Sequence, residues 1–262
     1  MIEYVSAEQF NGLAAGGNTE PIKFGCRTSD GEIANYFTKS TWGKCPVESL
    51  VREAVSYQLA TDLGLRVAAG ACVLIPAELV DIASGVDRVI GERLRSAVVP
   101  SFGSRNVGDG FRWCIEVPPG IPHEEVAEIW AFDRLTLNPD RRRGRPNCLA
   151  NDKYIALIDH ELALEVTGIG GLVPYPWSDG SIKKSETLQP HLFWDFIKGS
   201  GASLERMAES WEKVSEDAIR SYVDCLPDTW KASSVTDEII QYLLILKANI
   251  RIAFKQLRGA LI

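Results

Sequence analysis

Histidine and paired cysteines, which carry much metal and nucleophilic chemistry in proteins, are scarce in this sequence. Only 3 histidines occur among 262 residues, which disfavours a histidine-rich metal site or a histidine-based catalytic triad. The 6 cysteines are scattered, and no two of them form a CxxC pair. In a chain of this size, that distribution indicates reduced cytosolic thiols rather than a disulfide framework or a zinc site.

Long apolar runs and an excess of positive charge are also missing. No apolar run is long enough to span a bilayer, and the first ten residues have neither the basic stretch nor the apolar stretch of a signal peptide. The 28 basic residues are outnumbered by 35 acidic ones, giving a net charge of −7, so no overall field attracts nucleic acid. We therefore expect a cytoplasmic protein without direct nucleic-acid or membrane binding. The length allows one large domain or two lobes.

Three residues with oxygen donors stand out in the stretch 131–165: Asp140, Asn147 and Asp159. A phosphoryl-transfer site needs one carboxylate to orient the attacking hydroxyl, and an amide oxygen and a second carboxylate to hold Mg²⁺. The alternative is a turn that is simply rich in Asp and Asn.

The surroundings of these three residues predict their local structure. The apolar, β-prone residues 154–158 predict a short buried strand that ends just before Asp159. The arginine-rich run 141–146 predicts an exposed loop, because an unpaired guanidinium is costly to bury.

Two charged residues upstream have the order of a kinase ion pair. Lys39 ends a predicted strand at 33–39, and Glu53 lies in the clearest predicted helix, at 47–63. A strand lysine paired with a helix glutamate positions nucleotide phosphates in protein kinases. The alternative for each residue alone is a solvated surface charge.

A glycine-rich turn precedes this pair, and its small residues would let backbone N–H groups approach phosphates. The candidate nucleotide-binding residues in the turn are Gly16, Gly17, Asn18 and Thr19. The alternative is a plain hairpin turn between two strands.

The wording of the loop around Asp140 resembles the HipA-like kinases. The resemblance rests on NPDR, on an Asn before a strand, and on IDHELAL. In that family the loop reads Asn-x-Asp-Arg-His-x-x-Asn. Here Arg142 stands where His is usual, and Asn147 comes two residues late. The chain also starts almost at the phosphate loop, so it resembles a compact subfamily without the additional N-terminal subdomain of the HipA toxins.

The resemblance implies an α+β, two-lobed protein-kinase-like fold. It predicts a β-rich nucleotide-binding lobe at 1–80 and a mainly helical catalytic lobe at 81–262. Within these lobes, residues 75–80 are expected to bind the adenine edge. Residues 100–110, which include the phrase FGSR, are expected to form a flexible loop between the lobes. A single long helix is expected at 237–257.

The resemblance further implies an ATP- and Mg²⁺-dependent kinase that phosphorylates a hydroxyl, with Ser or Thr of a protein as the expected acceptor. Asp140 would be the catalytic base, Asn147 and Asp159 would bind Mg²⁺, and Lys39 and Glu53 would serve the nucleotide. An antitoxin-like partner protein is a further implication. Two alternatives stay open at this point: a small-molecule kinase, and a nucleotide-binding pseudokinase or interaction module.

Overall fold

The computed structural model describes residues 2–14, 19–42, 44–166 and 174–262. Near the N-terminus, five strands form a closed barrel in the order β1-β2-β3-β5-β4. The strands are β1 (Glu3–Leu13), β2 (Ile22–Arg27), β3 (Ile33–Lys39), β4 (Gly70–Leu74) and β5 (Ser101–Arg105). All pairings are antiparallel except β1 with β4, which is parallel and closes the barrel.

Three helices accompany the barrel: α1 (Val47–Asp62), α2 (Ala77–Val86) and α3 (Arg88–Ser96). The apolar spacing of 47–63 predicted α1, and the observed helix matches to within one residue. It ends before Gly64, whose φ of +74° suits the left-handed position just past a helix. After β4, residues 77–86 form α2.

The rest of the chain is mostly helical around a small sheet. The sheet has the order β6-β7-β8, with β6 (Arg112–Trp113), β7 (Cys148–Ala150) and β8 (Ile155–Leu157). The helices are α4 (His123–Leu135), α5 (Ser181–Leu188), α6 (Trp194–Ile197), α7 (Glu205–Lys213), α8 (Glu216–Asp224), α9 (Asp228–Lys231), α10 (Val235–Ala248) and α11 (Ile250–Leu261). None of the helices in the described part of the chain is long and apolar enough to cross a membrane.

Among the described residues, two hydrophobic clusters form the core. The larger one packs α1 and α4 against the C-terminal helices, and its largest side chains are Trp130, Trp211 and Trp230. The smaller one joins apolar side chains of the barrel strands to one face of α2 and α3. The mixed α+β class predicted from the sequence is therefore confirmed.

Two sequence-based predictions about secondary structure are wrong. Residues 101–105 are not part of a flexible loop but form β5, which pairs with β3 and β4; their Gly and Ser content hid a strand that tertiary pairing stabilises. The helix expected at 237–257 is two helices, α10 and α11, separated at Asn249, whose backbone φ of −106° and ψ of 10° are not helical.

Trp230 connects the helical part to the barrel and should contribute strongly to stability. Its side chain is fully buried, and its Nε1 donates a hydrogen bond of 3.0 Å to the carbonyl oxygen of Pro100, just before β5. We expect Trp230→Ala to lower the free energy of unfolding by about 3–5 kcal/mol, since it leaves a cavity and an unpaired carbonyl. Urea unfolding measures this change in the free energy of unfolding.

Trp113→Ala, at a side chain that is 54% exposed, is the control and should change stability by less than about 1 kcal/mol. Equal effects of the two substitutions would contradict the prediction.

Candidate active site

Lys39 is the centre of a buried charge cluster. It ends β3, and its Nζ lies 3.0 Å from Oε2 of Glu53 on α1. Both side chains are buried. The structure thus brings together the strand lysine and the helix glutamate that the sequence suggested as a pair, and excludes the alternative of two solvated charges.

Two more carboxylates complete the cluster. Lys39 Nζ lies 2.6 Å from Oδ1 of Asp159 and 2.9 Å from Oε2 of Glu161. Asp159 follows the end of β8 by two residues, where the sequence placed it. Sequence reasoning missed Glu161. Its position two residues after Asp159 is the signal that could have found it, because a second acid at that spacing can reach the same lysine ammonium group.

The charges of the cluster shift one another's titration. Burial acts to lower the pKa of Lys39. The charges of the three carboxylates outweigh it, so the pKa lies well above its ordinary value. Burial raises the pKa of Glu53 to about 7, and burial also raises the pKa of Glu161. Burial acts the same way on Asp159, but its ion pair with Lys39 is stronger, so its pKa is lowered. Asp159 is therefore the carboxylate most firmly held as an anion.

Backbone contacts fix the strand end against α1. The backbone N–H of His160 donates to Oε1 of Glu53 at 2.9 Å, so one carboxylate of α1 holds both Lys39 and the segment after β8. Asp159 itself has a φ of +60°, a conformation that costs energy for a residue with a side chain. Burial lowers the pKa of His160 to about 3, which keeps its ring neutral.

Asp140 and Asn147 meet although the loop between them is two residues longer than in the family pattern. Asn147 Nδ2 donates to Oδ2 of Asp140 at 3.0 Å. Between them, residues 142 and 145 exchange backbone hydrogen bonds of 3.0 and 2.9 Å, and Gly144 takes a φ of +84°. This tight turn absorbs the two additional residues of the loop, so the late position of Asn147 does not keep it from Asp140.

Two arginines of this turn lie beside the candidate base. Arg145 Nη1 is 3.3 Å from Oδ1 of Asp140, and Arg142 Nε is 3.6 Å from the same oxygen. Arg142 therefore brings a positive charge to the position where the family loop has His. Arg143 points elsewhere and pairs with Asp195 at 2.8 Å.

Arg141 contradicts the prediction that the whole run 141–146 is exposed. Its side chain is completely buried, with Nε 2.6 Å from Oδ2 of Asp133 on α4. It also donates to the backbone carbonyl of Asn147. The prediction assumed an unpaired guanidinium. Here Asp133 compensates the charge. Burial acts to raise the pKa of Asp133, but the Arg141 charge and the hydrogen bond with His191 hold it well below its ordinary range. The pair anchors the loop that carries Asp140 and Asn147.

A cleft of about 1000 Å³ opens over these groups. Its lining includes Asp140, Asn147, Asp159 and Glu161, together with two further carboxylates, those of Glu116 and Asp195. One wall is apolar and comes from residues in and after β6, chiefly Trp113, Ile115 and Val117. The residues 75–80, expected to bind adenine, are not in this lining; Leu79 and Val80 instead pack into the smaller core cluster.

The predicted phosphate loop is only partly within the described residues. Gly16, Gly17 and Asn18 lie outside them. Thr19 is buried, and its carbonyl oxygen accepts hydrogen bonds from Trp42 Nε1 at 3.2 Å and from Arg93 Nη2 at 3.0 Å. The contacts described for Thr19 are thus structural ones.

The site has the donor chemistry of a hard cation. Carboxylate oxygens of Glu53, Asp159 and Glu161 lie within 4.8 Å of one another around the Lys39 ammonium group, and Asn147 lines the same cleft as Asp159 and Glu161. Oxygen-only donor sets suit Mg²⁺. The residues present therefore fit the metal that a phosphoryl-transfer site requires.

A model of the HipA-like kinase family matches residues 10–248. The chain belongs to the HipA-like kinase family. Family membership supports kinase activity and agrees with the resemblance seen in the loop around Asp140. In a comparison with curated proteins, none matches this chain.

Among solved structures, this HipA-like kinase is similar to the crystal structure of the Helicobacter pylori proinflammatory kinase CtkA. The match has a TM-score of 0.54 and 12% sequence identity, and it covers 95% of this chain and 96% of that one. At so low an identity the likeness shows the fold alone, and it extends over both the barrel and the helical part.

The raised pKa of Glu53 predicts a pH-dependent stability that a substitution can isolate. A folded-state pKa of about 7, against an ordinary value of 4.5, means that the native state binds this proton more tightly than the unfolded chain. The resulting stabilisation is present below pH 4.5 and is lost as the pH rises through 7. Glu53→Gln cannot titrate there. The free energy of unfolding of the variant minus that of the wild type should therefore increase from pH 4.5 to pH 8, by roughly 1–3 kcal/mol.

Urea unfolding at a series of pH values measures this difference directly. The comparison with the wild type is needed because the titration of His160, whose folded pKa is lowered, opposes that of Glu53 between about pH 4.5 and 6.5. A difference that does not change with pH would contradict the raised pKa of Glu53.

Proposed function

We propose that this chain is an ATP- and Mg²⁺-dependent kinase that transfers the γ-phosphoryl group to a hydroxyl, with Ser or Thr of a protein as the acceptor. The observation that carries the proposal is the joining of two separate sets of groups at one cleft. One set is Asp159, which lines the cleft and is ion-paired with the buried Lys39, itself held by Glu53. The other set is Asp140 with Asn147. Phosphoryl transfer depends mostly on such positioning and on charge stabilisation.

Asp140 is the residue proposed to orient the acceptor hydroxyl and accept its proton. Asn147 holds its Oδ2 at 3.0 Å, which fixes the carboxylate plane at the cleft surface. Arg145, at 3.3 Å from Oδ1, would lie beside the transferring group, where a fixed positive charge favours the developing negative charge. The Asp140 carboxylate and the Arg145 guanidinium are thus in position before substrate binds.

Lys39 is proposed to contact the nucleotide phosphates while Glu53 keeps it in place. Lys39 is 3.0 Å from Glu53, and this contact comes from a helix packed in the core, so it does not depend on the ligand. Asp159 and Asn147, with Glu161 nearby, would hold Mg²⁺. When bound, the metal would neutralise phosphate charge and orient the phosphoryl group. The role of Gly16, Gly17, Asn18 and Thr19 in phosphate binding stays a prediction.

The adenine is proposed to lie against the apolar wall that contains Trp113, Ile115 and Val117. This wall belongs to the segment that connects the barrel to α4, which supports a two-lobed layout with the nucleotide between the barrel and the helical part. The division at residues 80 and 81 stays a prediction. Strand β5 completes the barrel from beyond that point, which argues for placing the boundary after residue 105.

The contact between Asn147 and Asp140 bears on the pseudokinase alternative. That alternative rested on the missing loop His and the late Asn. The turn at 142–145 restores the proximity of Asn147, and Arg142 brings a cation to the position of the His, so we favour an active enzyme. An antitoxin-like partner and a cytoplasmic location stay predictions.

Removing the Asp140 carboxylate should slow phosphate transfer strongly and leave nucleotide binding nearly unchanged. Asp140→Ala is expected to lower the rate of phosphate transfer from labelled ATP by roughly 10²–10⁴-fold, the range typical of a general base. Its affinity for a fluorescent ATP analogue should change little, because Asp140 acts on the acceptor. Asp140→Asn separates chemistry from structure, since Asn can keep the hydrogen bonds of the loop. A fully active Asp140→Asn variant would show that Asp140 is structural.

Removing the charge of Asp159 should remove the effect of Mg²⁺ on nucleotide binding. Asp159→Asn is expected to bind the fluorescent ATP analogue equally with and without Mg²⁺, whereas the wild type should bind more tightly with it. Titrations in Mg²⁺ and in EDTA measure this without turnover. Asp152→Asn, at a side chain that is 94% exposed, is the control and should behave like the wild type. Retained Mg²⁺ dependence in Asp159→Asn would remove this residue from the metal site.

A further inference from the structure

Next to the cleft lies a second cavity of about 590 Å³, between α5, α6 and the end of α11. Arg143 and Asp195 line both this cavity and the cleft, so the two are neighbours that share one rim. We call it the basic cavity and define it by Arg143, Lys183 and Lys198. It lies outside the groups assigned to phosphoryl transfer.

The basic cavity has a local surplus of positive charge. Lys183 and Lys198 are exposed, and neither ammonium group has an ion-pair partner within the described parts of the chain. The acids of the cavity are already engaged. Asp195 pairs with Arg143 at 2.8 Å, and Glu186 is buried with its Oε1 2.5 Å from Arg134 Nε. Against these two lysines, the described lining holds one further negative group, the carboxylate at Ile262, so a surplus of positive charge remains in a chain whose net charge is −7.

The cavity also offers an apolar surface between these charges. Trp194 is half-buried and stacks on Trp130, with ring centroids 5.6 Å apart. Its ring is thereby held in place and provides a rigid platform at low entropic cost. A rigid aromatic beside two free ammonium groups suits a peptide with carboxylates on short aliphatic stems.

We propose that the basic cavity binds an acidic segment of the protein acceptor, beside the Ser or Thr that is presented to Asp140. The proposal rests on the proposed kinase function. Arg143 follows Asp140 by three residues and stands on the shared rim, so an acceptor chain that leaves the cleft on this side passes directly into the cavity. The cavity would then make the enzyme select hydroxyls that are flanked by Asp or Glu.

Peptide binding tests this without any turnover. The probes are fluorescein-labelled peptides with one Ser and a block of Glu on its N-terminal or C-terminal side, and matched peptides with Gln in place of Glu. Fluorescence anisotropy should show tighter binding of one Glu peptide than of its Gln match. Lys183→Gln/Lys198→Gln should weaken binding of that Glu peptide about 3- to 20-fold and leave the Gln peptide unchanged. Added salt should reduce the preference.

The matched control is Lys184→Gln/Lys255→Gln. It makes the same change in net charge at two exposed lysines of α5 and α11 that do not line the cavity. Affinity for the Glu peptide should stay at the wild-type value in this control. Equal losses in the two double variants would mean that only the overall field matters, and would overturn the proposal.

Further outcomes separate this proposal from the proposed function. Equal binding of Glu and Gln peptides, or phosphorylation of both with equal kcat/KM, would overturn the docking site and leave the kinase function intact. A single-stranded oligonucleotide that binds more tightly than the Glu peptide, and depends on the same two lysines, would assign the cavity to nucleic acid and overturn the proposal. Lysine-dependent binding of the Glu peptide without any transfer from ATP would support the docking site while contradicting the kinase function.

Discussion

The buried ammonium group of Lys39 is the constraint on which the site depends. A charge at this depth is tolerated only when it is paired and hydrogen-bonded. Its partners come from α1 and from the end of β8, two elements far apart in sequence. The barrel strand that carries Lys39, the core helix and the small sheet must therefore meet at one point, and a cleft forms where they do. The nucleotide site proposed here is the place where that pairing stays partly open to solvent.

A second buried ion pair sets the geometry of the other half of the cleft. Arg141 and Asp133 lie 2.6 Å apart in the core, and His191 Nε2 shares the same Asp133 oxygen at 2.9 Å. Removing one member of such a pair is far more costly than the pair is worth, because it strands a buried charge. The pair ties the loop after α4 to the helical part. Backbone strain gathers at the same loops, since Asn147 and Asp159 both have positive φ, and such strain is typical of functional sites.

Charge is distributed for different tasks on the two sides of this loop. Acids are concentrated around Lys39, where they can hold a hard cation. The turn at 142–145 instead presents guanidinium groups to Asp140, and the basic cavity extends this positive region away from the cleft. A chain that is acidic overall thus places several cations beside the proposed acceptor site, where they act over a short range that salt does not fully screen.

The sequence by itself determined the local elements and the candidate pair. Apolar spacing predicted α1 nearly to its ends, and the strands that carry Lys39 and precede Asp159 followed from β-prone runs and turn residues. These are short-range signals that a chain holds without its tertiary contacts. The loop residues around Asp140 were enough to indicate the family, because their wording is itself local.

Only the tertiary structure decided which charges are buried and which residues meet. Arg141 belongs to the core because Asp133 lies opposite, and Glu161 joins the site because Lys39 approaches it across 122 positions of the chain. Strand β5 forms from a Gly- and Ser-rich stretch because its neighbours β3 and β4 supply the pairing. Asn147 reaches Asp140 because a turn absorbs the additional residues. In each case the deciding energy comes from a partner that is distant in sequence, and no local pattern contains it.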